Sequence, residues 1–65
     1  MLKWHEVADK LGWSQGYLSK VLHGYHGPSE RMAEIARPVT RKSFKWWEDA
    51  AQAEIQALLT KLRRN

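Results

Sequence analysis

The stretch EVADKLGWSQGYLSKVLHG, running from Glu6 to Gly24, decides how this chain folds. Its apolar residues Val7, Leu11, Leu18, Val21 and Leu22 are joined by two small ones, Ala8 and Gly12. Ala8 falls on the inner face of a first helix, where a second helix crosses too closely for a larger side chain. Gly12 ends that first helix, because the tight turn needs φ > 0, which glycine takes without steric cost. Trp13 covers the turn. Ser14 caps the second helix by accepting a hydrogen bond from one of its unpaired N–H groups. Leu18, Val21 and Leu22 turn inward at helical spacing, while Gln15, Gly16, Ser19, Lys20 and His23 face outward. This is the arrangement of a helix-turn-helix, whose second helix docks in the DNA major groove. Small, alanine-punctuated helical hairpins also serve as plain structural or protein-binding units.

Sixty-five residues make a single domain, 1–65. A chain this short buries only about 60% of the surface its unfolded form exposes. It has no cysteine, so it lacks disulfide staples and the usual zinc frameworks. Compact helical packing or association with a second chain must supply the stability instead. Four tryptophans gather large apolar surfaces from few residues and suggest an interface as well as a core. The net charge is +4 and the pI about 9.8. Positive charge collects at Arg37, Arg41, Lys42 and Lys45, and again at Lys61, Arg63 and Arg64. Such a balance suits a phosphate-binding surface. No apolar run approaches the roughly 20 residues of a membrane span, and no signal-peptide stretch opens the chain. A cytoplasmic location is therefore expected, with no membrane partner.

Beyond the opening hairpin the chain reads as helix with two breaks. Leu2–Leu11 and Gln15–Leu22 form the pair, and residues 23–28, with two glycines and a proline, form a loop. Ser29 caps a third helix reaching about Ala36, with Glu30 in its first turn and Met32, Ile35 and Ala36 as its buried stripe. Pro38 stops it. Thr40 or Ser43 caps a last helix running to about Leu62. Trp47, Ala51, Ile55, Leu58 and Leu62 recur along that helix at the spacing of a packed seam, with Ala50, Ala53 and Ala57 as a strip permitting close approach. The division expected is a DNA-binding core over 1–43 and a long C-terminal helix over 44–65. The seam is longer than the first three helices can cover, which points to a second copy of the chain; the alternative is that it folds back over its own first helix.

The stretch from Trp4 to about Trp47 resembles the phage repressor and Cro-like family of helix-turn-helix regulators. The segment VADKLGWSQGYLSKVLHG is similar to the DNA-binding domains of the lambdoid phage repressors. The resemblance implies that Gln15, first in the second helix, reads a base. Ser19 and Lys20 would make further base contacts one turn later, and Ser14 and His23 would hold phosphate. Gly16 stands where the family commonly carries a reading side chain, reducing that contact to backbone approach. Two features depart from the family. Its usual first helix is missing, leaving an apolar gap for Trp4, Trp46 or the long last helix to fill. Trp4 also replaces the polar residue, often glutamine, that braces the reading glutamine.

A glutamine in the major groove pairs bidentately with adenine N6 and N7. Lys20 can reach guanine or a phosphate. Tyr17, at the edge of the outward face, can meet a thymine methyl or a phosphate, or pack its ring on the domain. His5, His23 and His26 do not suggest a metal site, and no spacing suggests catalysis or a cofactor. The Trp46-Trp47 pair could offer a stacking platform for single strands. Adjacent helical residues diverge by about 100°, which favours one in the core and one at an interface. The reading is an all-α, four-helix repressor-like helix-turn-helix domain with an extended C-terminal helix. It binds an inverted-repeat operator in double-stranded DNA as a homodimeric regulator of phage or mobile-element type, with no small-molecule ligand. The alternatives are a helical interaction module, antitoxin-like or inhibitory, and an architectural factor for recombination.

Overall fold

Ser14, Ser29 and two glutamates mark where helices begin. In the computed structural model, which describes residues 1–64, the order is α1 (Trp4–Leu11), α2 (Gln15–Leu22), α3 (Glu30–Thr40), α4 (Phe44–Asp49) and α5 (Gln52–Arg64). Ser14 Oγ accepts from Tyr17 N–H at 3.1 Å and Ser29 Oγ from Met32 N–H at 3.2 Å. Glu6 Oε1 accepts from Lys3 N–H at 2.8 Å, and Glu54 Oε1 from Ala51 N–H at 3.3 Å. Each bond satisfies a donor that a helix start leaves unpaired.

One core closes around α1, which packs against α2, α3 and α5. Val7, Ala8 and Leu11 meet Trp13, Leu18 and Val21, with Ala33 and Ala36 of α3, Trp47 of α4, and Ile55 and Leu59 of α5. The core draws on both 1–43 and 44–65. Ala8, Ala33 and Ala36 are fully buried, so α1 and α3 approach through small residues. Trp13 Nε1 donates to Met32 O at 3.0 Å, tying the first turn to α3. The indole N–H of Trp47 is buried with no hydrogen-bond partner among the described residues.

Four expectations are corrected. The first helix starts at Trp4 rather than Leu2, because Leu2 pairs its backbone with Arg63: Leu2 N–H donates to Arg63 O at 2.7 Å, and Arg63 Nε donates to Leu2 O at 3.0 Å. The third helix passes through Pro38 to Thr40. Proline there removes one helical bond, and the burial of Thr40 with the half-burial of Val39 offsets that loss. The helix ends at Arg41, in the left-handed region at φ 61°, whose N–H returns to Arg37 O. The buried stripe of α3 is Ala33, Ala36 and Thr40; Met32 is half-buried and Ile35 is 42% exposed.

The largest correction concerns the C-terminal helix, which is two helices, giving five among the described residues. Ala50 is extended, at φ −72° and ψ 140°, and Ala51 begins a new helical turn. The bend turns Ile55 and Leu59 onto α1 and α2. Leu59, outside the expected seam, is fully buried; Ala51, within it, is exposed, and Leu58 and Leu62 are half-buried. Of the alanine strip, Ala53 and Ala57 are exposed and Ala50 is half-buried. Of the tryptophan pair, Trp47 is buried and Trp46 half-buried, with Lys42 Nζ 5.0 Å from its ring. No helix of the described residues is long and apolar enough to cross a membrane.

Gly12 is held at φ 78°, and a Cβ there would lie 2.7 Å from Ile35 Cγ2. Gly12→Ala should therefore lower stability by about 1–3 kcal/mol, near 4–8 °C in Tm for each kcal/mol. A Cβ on Gly16 meets nothing within 4 Å. Gly16→Ala should raise stability by up to about 1 kcal/mol. Thermal unfolding followed by circular dichroism checks both; equal effects would show that the turn does not depend on the glycine.

Candidate nucleic-acid interface

The turn between α1 and α2 aims the outer face of α2. Gly12 caps α1, and Trp13 N–H returns to Ala8 O at 3.0 Å, so α2 leaves in a fixed direction. Leu18 and Val21 are buried beneath it and Leu22 is half-buried. Ser14, Gln15, Gly16, Ser19, Lys20 and His23 are all exposed. Gln15 begins the helix and stands free of protein hydrogen bonds among the described residues. Lys20 lies in the last turn, where a cation also suits the helix dipole. The hydroxyl of Ser14 accepts from the backbone, which leaves its proton available for an outside acceptor.

Tyr17 is drawn away from this face. It is half-buried, its ring stands edge-on to Trp13 at 5.2 Å, and its hydroxyl accepts from Ser29 N–H at 3.1 Å. The phenol joins α2 to the start of α3. Packing on the domain accounts for its position.

His23 closes the helix. Its Nδ1 lies 2.8 Å from Ser19 O and 3.3 Å from Ser19 Oγ. A carbonyl oxygen only accepts, so Nδ1 carries the proton and Nε2 is the free nitrogen. His23, Ser19 and Gln15 line a cleft of about 230 Å³, with Leu18 and Leu22 and with Trp4 of α1. The Arg63 guanidinium lies 4.7 Å from the centre of the Trp4 ring.

The segment that carries α2 is free of carboxylates. From Lys10 through Ser29 the chain has no Asp or Glu, while Lys20, His23 and His26 lie within that stretch. Among the described residues no group of three or more potential ligands could hold a metal ion.

Sequence reasoning missed what supports α2 from behind. Gln52 Nε2 donates to Val21 O at 3.1 Å and Leu22 O at 2.9 Å, and Gln56 Nε2 donates to Leu22 O at 3.1 Å. These amides satisfy carbonyls that a helix end leaves unpaired. Two glutamines one turn apart among apolar neighbours were the only trace of this in the sequence. No protein-family model matches the chain, nor does any curated protein or solved structure.

Proposed function

We propose that this chain binds double-stranded DNA sequence-specifically, laying the exposed face of α2 in the major groove, and acts as a small transcriptional regulator by occupying its site. One observation carries the reading: α2 buries Leu18 and Val21 while Gln15, Gly16, Ser19, Lys20 and His23 project unobstructed from a carboxylate-free segment. Gln15 is the base-reading residue, suited to adenine N6 and N7. Gly16 has open space beside it, which lets the backbone of α2 come close to the groove floor. Lys20 contacts guanine or a phosphate, and Ser14 and His23 contact the backbone of the duplex.

Pairing through the C-terminal seam was expected to place two copies on an inverted repeat. With Ile55 and Leu59 spent inside the fold, the reading takes one chain on one half-site as its unit. Sedimentation of the protein at tens of micromolar should give a species near 7.6 kDa, and one chain per half-site duplex. A species of twice that mass would restore the dimer.

Gln15→Ala should weaken binding to the preferred duplex by roughly 1–3 kcal/mol and leave binding to random duplex nearly unchanged. Sites selected from a random pool and read by fluorescence anisotropy provide the measurement. Equal losses on both duplexes would make Gln15 a backbone contact. Affinity should also fall linearly with salt on a log–log scale, by about 0.9 for each phosphate engaged. A flat salt response would overturn DNA binding altogether.

A further inference from the structure

The cleft between Trp4 and the outer face of α2 has walls of two kinds. Trp4, Leu18 and Leu22 make it apolar, while Gln15, Ser19 and His23 place an amide, a hydroxyl and an imidazole around it. No carboxylate lines it. At about 230 Å³ it accommodates several groups of water size, each near 30 Å³. It opens on the face assigned above to DNA.

The imidazole sets the chemistry of the cleft. With its Nδ1 proton given to Ser19 O, neutral His23 offers only a lone pair at Nε2. A phosphodiester oxygen is an acceptor and finds no donor there. The same nitrogen becomes a donor, and the ring a cation, once it takes up a proton. Histidine is the side chain whose charge changes between about pH 5 and 8.

The neighbouring groups do not supply that proton. On α2 the nearest cation in sequence is Lys20, and Tyr25 of the following loop has its ring 6.3 Å from the imidazole. From α5, Gln52 and Gln56 bring only uncharged amides to the end of α2. Arg63 brings a guanidinium to Trp4, which is the contribution of α1 to the cleft.

We propose that this cleft holds a backbone phosphate of the bound duplex and that filling it takes up one proton at His23. The inference rests on the DNA-binding reading above. The sign follows directly: binding that needs the imidazolium strengthens as pH falls and weakens as pH rises.

The test is anisotropy of the full chain on its selected duplex, at constant ionic strength, from pH 5.5 to 8.5. Uptake of one proton makes the dissociation constant rise toward about tenfold per pH unit on the alkaline limb. His23→Gln, which keeps a donor that does not titrate, should flatten that limb, whereas His26→Gln and His5→Gln should leave it intact. Duplexes carrying one uncharged methylphosphonate linkage at a time locate the phosphate, since one position should lose the pH response. Tight, specific binding with no pH response overturns this proposal alone. So does a response that survives His23→Gln or every methylphosphonate. Failure to bind any duplex at any pH overturns the DNA-binding reading, and this proposal with it.

Discussion

The close turn at Gly12 and Trp13 is the constraint on which the rest of the structure depends. It turns the chain from α1 into α2 with Gly12 at φ 78°, a backbone shape that glycine takes without steric cost. Trp13, buried directly after it, carries the constraint to α3 through its bond to Met32 O and to α4 through its tilted contact with Trp47 at 5.8 Å. Ile35 of α3 closes over Gly12, where a Cβ would lie 2.7 Å from its Cγ2, although much of its own surface stays exposed. A chain this short has little apolar surface to spare. It uses one turn to orient three helices.

Helix α5 completes the frame by packing on α1 and α2. Ile55 and Leu59 join the core beside α1 and α2, and Gln52 and Gln56 hold the carbonyl end of α2. At the other end, Ser14 caps α2 and Tyr17 ties it to Ser29. Both ends of α2 are therefore fixed before any ligand arrives. Docking such a helix orders few new groups, so less of the interaction energy is lost to entropy.

The hairpin and its exposed face were legible because their signals are local. Gly12, Ser14 and the spacing of Leu18 and Val21 act within one or two turns. The C-terminal half was not, for a physical reason. Alanine favours helix wherever it stands, so Ala50-Ala51 carries no mark of a break. The bend there is imposed by the burial of Trp47 on one side and Leu59 on the other. Helical spacing across that junction selected Ala51, which is exposed, and passed over Leu59. The same limit hid Gln52, Gln56 and Arg63, whose partners Val21, Leu22 and Leu2 lie 30 to 61 positions away. Pro38 was misjudged because one missing backbone bond weighs less than the packing of Val39 and Thr40.

On the DNA-binding reading proposed above, stability and recognition fall to different residues of the same short helix. Leu18 and Val21 hold α2 in the core, whereas Gln15, Gly16 and Lys20 make no contact that the fold requires. Changes at those three positions therefore alter the exposed face of α2 at little expense to folding. Ser19 and His23 differ from them, because their mutual hydrogen bonds place the imidazole and decide which nitrogen is free. A substitution at Ser19 leaves its backbone carbonyl in place, so the tautomer of His23 persists even when the hydroxyl is lost. On the proposals above, proton uptake in the cleft would follow from the backbone of α2, and base preference from side chains that can vary around it.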